Sequence, residues 1–186
     1  TTTVTLPTKM YRETSQLYNG KIYMPQYSGT TMEIYDIATG TATTVTLPTN
    51  SLRYTSQLYN GKIYMPQSSG TTMEIYDIAT GITETKTLPT NMPRYTSQLY
   101  NGKIYMPENY GTTMEIYDIA TGTTTTVTLP TNMHRWTSQL YNGKIYMPQS
   151  SGTTMEIYDI ATGTTTTVTL PTNMRRYTSQ LYNGKI

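Results

Sequence analysis

Tyr-Asn-Gly-Lys-Ile occurs five times, starting at Tyr18, Tyr59, Tyr100, Tyr141 and Tyr182, so the chain repeats every 41 residues from end to end. A period of about 40 residues assembled from short strand-like runs points to stacked β units. Regular spacing without a composition break predicts one domain across residues 1–186, with a size sufficient for a buried core. Repeat units are expected at about 12–52, 53–93, 94–134 and 135–175, with a partial unit at 176–186 and a lone strand at 1–6.

The third repeat divides at its turn residues. Asn101-Gly102 lies between Tyr95–Tyr100 and Lys103–Met106, and Asn-Gly supplies the positive φ angles that a two-residue hairpin requires. Pro107 through Gly111 breaks the pattern before a third strand, Met114–Ile119. Ala120-Thr121-Gly122 then turns the chain into Thr124–Leu129, rich in β-branched residues, and Pro130 is expected to end it. No segment between turns is long enough for a helix. The expected fold class is therefore all-β, a β-propeller of four-stranded antiparallel blades with about 4.5 repeats in this chain.

The run Arg94-Tyr95-Thr96-Ser97-Gln98-Leu99-Tyr100-Asn101-Gly102-Lys103-Ile104-Tyr105, followed by Glu115-Ile116-Tyr117-Asp118 and Leu129-Pro130, resembles the kelch repeat of β-propellers. Kelch repeats carry a Gly-Gly pair and a tryptophan where this chain has Met106-Pro107 and a threonine-rich strand. The stretch from Lys144-Ile145-Tyr146-Met147 to Tyr158-Asp159-Ile160-Ala161-Thr162-Gly163 is similar to the YVTN repeats of microbial surface-layer propellers. Both resemblances imply a propeller and neither implies a particular activity. The lone strand 1–6 and the clipped strands after Thr178 leave three arrangements: a five-position ring with a defective composite blade, a ring shared by two chains, or part of a longer propeller. Beginning at Thr1 without methionine and stopping inside a repeat suggests a processed product, an excerpt or an engineered boundary.

Composition narrows the function. Thirteen basic and eleven acidic residues give a net charge of +2, too balanced for the field that nucleic acid or anionic membranes require. No apolar run approaches the roughly 18 residues that span a bilayer, so no membrane insertion is expected. There is no cysteine, which removes disulfides, thiolate metal sites and thiol nucleophiles. Nineteen tyrosines and no phenylalanine put many hydroxyls in or near the core. Thr-rich strands with that tyrosine content fit an extracellular or cell-surface protein.

An arginine recurs at Arg12, Arg53, Arg94, Arg135 and Arg176, at the entrance to the first strand of each unit. Two readings are open. Five guanidinium groups near one channel mouth could bind carboxylate or sulfate ligands. Alternatively each pairs with a repeated acid, Glu33, Glu74, Glu115 and Glu156 or Asp36, Asp77, Asp118 and Asp159, as a blade-to-blade bridge.

Variation concentrates just around these arginines. The preceding residue is Tyr11, Leu52, Pro93, His134 or Arg175, and the following one Glu13, Tyr54, Tyr95, Trp136 or Tyr177. Loops on a rigid scaffold are where recognition resides. Tyr95, His134 and Trp136, with Arg135, are therefore candidate ligand-binding residues.

One histidine and no cysteine offer neither a metal centre nor a nucleophile triad, so no metal and no cofactor is expected. Glu115 and Asp118, three apart in a strand, point to opposite faces rather than forming a carboxylate pair. The reading is non-enzymatic: a multivalent binding or structural scaffold for carbohydrate or peptide. The alternative is a designed or recently amplified repeat whose role is architecture, self-associating through its unmatched terminal strands. A hydrolase or lyase on a propeller scaffold ranks third.

Overall fold

The computed structural model describes residues 3–186; the expected strand positions at Thr1 and Thr2 lie outside the described residues. Four antiparallel sheets of four strands, each a simple meander, account for its regular structure. The chain falls into two compact units, one ending at Asn91 and one starting at Met92. The first holds β1 (Gln16–Tyr18), β2 (Lys21–Pro25), β3 (Ser28–Asp36) and β4 (Thr41–Leu52), then β5 (Gln57–Tyr59), β6 (Lys62–Pro66), β7 (Thr72–Asp77) and β8 (Thr83–Thr87). The second holds β9 (Gln98–Tyr100), β10 (Lys103–Pro107), β11 (Tyr110–Asp118) and β12 (Thr123–His134), then β13 (Gln139–Tyr141), β14 (Lys144–Pro148), β15 (Ser151–Asp159) and β16 (Thr164–Arg175). Each sheet has the form of a propeller blade.

The Asn-Gly turns set the first hairpin of every sheet. Asn101 has φ 47° and Gly102 φ 71°, a primed turn that pairs Tyr100 with Lys103 and fixes the register as Leu99 with Ile104. An aspartate fixes the third turn. Asp118 Oδ1 accepts from the Ala120 and Thr121 amides, while its Oδ2 receives Lys103 Nζ across the β10–β11 pair.

The structure departs from the expected strands at several points. The first strand is only three residues long, Gln98–Tyr100, and Thr96 just before it turns its hydroxyl to Ser138 of the next sheet's entry. Pro130 does not end β12. The ladder skips from Thr113–Thr128 to Gly111–Met133, and the proline sits in that irregular stretch, where no amide donor is called for. Thr3–Leu6 adopts no strand. The second sheet lacks the closing pair found in the others, Ser28–Leu52, Tyr110–His134 and Ser151–Arg175, since Pro93 stands at that register and has no N–H to donate.

The core lies between stacked sheets. Tyr23, Met32 and Leu47 of the first sheet meet Ile63, Met65 and Tyr76 of the second. Tyr105, Met114, Leu129 and Met133 meet Ile145, Met147 and Tyr158 in the same way. Methionine fills the gaps that a phenylalanine-free composition leaves, and paired tyrosine rings bridge the sheets with centroids 6.2 Å and 6.1 Å apart.

The turn aspartates make the fold acid-sensitive. Lys21 and the Thr39 amide hold Asp36 below its ordinary value, Lys103 does the same to Asp118 and Lys144 to Asp159. Because the folded pKa lies below the unfolded one, this stabilisation is complete above about pH 4 and is lost as pH falls further. Thermal denaturation should give a flat Tm from pH 8 to 5 and a decline below pH 4; Asp118→Asn should make the decline shallower, and an unchanged slope would remove the aspartates as its cause.

Candidate functional site

Arg12, Arg53, Arg94 and Arg135 each lead into the first strand of a sheet, and the structure shows what surrounds them. Arg53, between β4 and β5, donates through Nε and Nη2 to Glu74 Oε2 of β7 at 2.7 Å and 2.6 Å. Its Nη1 reaches the carbonyls of Gly29 (2.8 Å), Gln26 (3.2 Å) and Ser51 (3.3 Å), and Nη2 also reaches Thr49 O (2.8 Å). The other carboxylate oxygen, Glu74 Oε1, accepts from the amide and hydroxyl of Thr49, both at 2.9 Å. Every guanidinium N–H is thereby directed at protein. Gly29, whose carbonyl receives the arginine, sits at φ 142°, a backbone conformation that residues with a side chain rarely adopt.

The second unit repeats this arrangement. Arg135 grips Glu156 through Nε (3.0 Å) and Nη2 (2.7 Å), and donates to Gly111 O and Glu108 O, while the Thr131 amide caps Glu156 Oε1 at 2.8 Å. Arg94 pairs with Glu115 at 2.9 Å and 2.7 Å. Arg53, Arg94 and Arg135 are 0% exposed. Burial pushes the Arg94 guanidinium below its ordinary value, against the opposing pull of Glu115. Arg12 pairs with Glu33, which the Thr8 hydroxyl and amide also cap. Glu33 is buried, which alone would raise its pKa, but Thr8 and Arg12 outweigh that and hold it below the ordinary carboxylate value.

The ligand-binding expectation for Arg53, Arg94 and Arg135 thus meets a physical obstacle: enclosed groups with their donors committed to Glu and backbone oxygens offer nothing to an anion from solvent. Arg176 differs. It donates to the carbonyls of Gly152 (2.7 Å), Thr172 (2.6 Å), Met174 (3.2 Å) and Gln149 (3.3 Å), but among the described residues no carboxylate meets it.

The residues just after the arginines are outside this network and come together as rings. Trp136 lies edge-to-face with Tyr95, centroids 4.8 Å apart at 66°, and with Tyr177, 5.3 Å apart at 87°. Tyr95 and Trp136 each follow immediately on a buried guanidinium, whereas Tyr177 follows the half-buried Arg176. Tyr54 in the first unit instead bonds its hydroxyl to that of Tyr27 at 2.7 Å. His134 stacks on Tyr110 at 4.6 Å. Arg135 is therefore missing from the expected cationic patch around His134 and Trp136. Tyr110 and Tyr177 complete the aromatic set; the variation beside the arginines marks the position of Tyr177, while spacing alone gives no sign that the rings touch. The Asn109 carbonyl accepts from the Arg135 amide at 2.8 Å, and its buried Oδ1 has no partner among the described residues.

Among the described residues no three His, Asp or Glu side chains converge as a metal site. No helix is long and apolar enough to cross a membrane.

No protein-family model matches the sequence, and no curated protein matches it. Solved structures do. The chain is similar to virginiamycin B lyase from Staphylococcus aureus, with 16% identity and a TM-score of 0.73 over 85% of this chain; it spans 55% of the length of that enzyme. It is also similar to the computationally designed Ika4 protein, at 15% identity and TM-score 0.65, covering 90% of this chain and 96% of the design. A third likeness is to the extracellular domain of BT4673, a one-component system of B. thetaiotaomicron, with 15% identity, TM-score 0.67, and coverage of 86% and 23%. At these identities the likeness shows the fold, a β-propeller built from repeats, and nothing of the site.

Removing one partner of a buried ion pair leaves an uncompensated charge, at a cost of about 3–5 kcal/mol. Arg94→Ala should lower Tm by about 6–20 °C, using about 2–4 °C per kcal/mol for a chain of this size. An unchanged Tm in differential scanning calorimetry would refute the structural role of the pair.

Proposed function

We propose that this chain is a non-enzymatic binding scaffold that offers its aromatic row to carbohydrate or peptide. The observation that carries the reading is the alignment of Tyr95, Trp136 and Tyr177 edge-to-face at equivalent positions, each ring partly open to solvent. Such rings present apolar faces for stacking on sugar C–H groups or on peptide side chains, and register along the repeat suits multivalent contact. The ligand would be extracellular, a placement supported by the likeness to the B. thetaiotaomicron extracellular domain. Kinship with kelch repeats belongs to the same proposal and rests on the Arg-Tyr-Thr-Ser-Gln-Leu-Tyr-Asn-Gly-Lys-Ile-Tyr segment.

The non-enzymatic part is supported by the repeated acids, which are occupied by Arg and Lys partners rather than left for proton transfer. A turnover screen on polysaccharides and on virginiamycin B should show none; measurable turnover abolished by a single substitution overturns this part.

Trp136 is the only tryptophan, so its fluorescence reports on the row directly. Titration with oligosaccharides and with peptides should give a saturable shift for one class, and Tyr177→Ala, removing an exposed ring, should weaken it about tenfold or more. No fluorescence change and no retention on a glycan or peptide array would eliminate the row as a binding site.

A second reading, architecture and self-assembly, is favoured by the near-identity of the units and by the designed propellers of similar fold.

A further inference from the structure

The last sheet carries a face that its counterparts keep covered. Met92 and Met133 are 2% exposed, whereas Met174 at the same register is 51% exposed. A cavity of about 460 Å³ lies there, lined by Tyr146, Met155, Leu170, Met174 and Arg176 among others. Arg176 and Thr172 stand at the register where Arg53 and Thr49, or Arg135 and Thr131, grip a buried glutamate, and here the glutamate is absent among the described residues. Within the first unit the missing surface corresponds to Ile63, Met65, Tyr76 and Glu74. In the second it corresponds to Ile145, Met147, Tyr158 and Glu156.

The first sheet presents the same set as Ile22, Met24, Tyr35 and Glu33. Ile63 and Met65 are fully enclosed, but Ile22 and Met24 are only half-buried and border a second cavity of about 270 Å³ with Val4, Leu6 and Tyr35. We propose that the last sheet receives the first sheet of a second copy of this chain, with Arg176 and Thr172 taking the Glu33 carboxylate of that copy.

The exchange is chemically even. Residues 1–8 and 165–172 share the sequence Thr-Thr-Thr-Val-Thr-Leu-Pro-Thr, so residues 165–176 of one copy replace the second copy's own N-terminal segment on Glu33 like for like. Residues 178–186 likewise duplicate residues 14–22, so the bonds that Thr137 and Gln139 make to Ser179 are available from Ser15 of the second copy. The gain is the apolar face that each terminal segment leaves half covered. A contact between two different patches is heterologous and propagates head to tail into rings or filaments. This inference rests on the architectural reading given above.

The chain has no cysteine, which permits a clean test with two single-cysteine variants, Tyr146→Cys and Tyr35→Cys. The tyrosines at these registers pair across stacked sheets with ring centroids 6.2 Å apart in the first unit. Light scattering should give multiples of the 21.0 kDa chain mass as concentration rises. A short linker with a thiol-reactive electrophile at each end should join the two variants when mixed and join neither with itself. Arg176→Glu should weaken association at least tenfold, with circular dichroism confirming the fold. A monomer at every concentration overturns both the interface and the architectural reading. Larger particles without the mixed cross-link, or with cross-linking of either variant alone, overturn this interface while leaving the architectural reading in place.

Discussion

The buried Arg–Glu clamp is the contact on which the rest of the structure depends. In the first unit one guanidinium ties together the irregular end of β3, the tail of β4 and the middle of β7. Those segments belong to two sheets, so the clamp sets how one sheet stacks on the next. The apolar contacts alone would specify this poorly, because methionine adapts to many packings. A bidentate pair with every donor and acceptor occupied has one geometry. Its net energy is modest relative to an apolar substitute, and its contribution lies in register.

The same clamp organises the surface. Because Arg94 and Arg135 are drawn inward, the residue after each is carried to a defined place, and Tyr95 and Trp136 fall into contact there, with Tyr177 against Trp136. The scaffold is therefore stiff at the guanidinium and free one residue later. That division matches the sequence variation, which spares the arginine and changes its neighbours. It also accounts for the contrast between the first and last sheets: Glu33 is capped by the N-terminal segment, and among the described residues Arg176 is a grip without an acid.

Much of the fold was legible because its signals are local. Asn-Gly at positive φ, Asp at the third turn and β-branched runs between them act over two to six residues, and the four strands of each sheet appear where these signals put them. The expectation failed where a distant partner decides. Thr96 lies outside the first strand with its hydroxyl on Ser138 of another sheet, and Pro130 persists in β12 because the irregularity at Gly111 needs no amide there. The arginines were legible as a series but not in their role. Sequence offered both Glu and Asp as partners, and only packing assigns Arg to the enclosed Glu and Lys to the turn Asp.

What the sequence determined by itself was the period, the turns and the all-β class, since these follow from backbone preferences that each short segment carries. What the tertiary structure decided was which charges are enclosed, which rings touch and which faces remain uncovered. Those depend on residues 21 to 42 positions apart being brought together by the stacking of one sheet on the next, and no short-range preference encodes that.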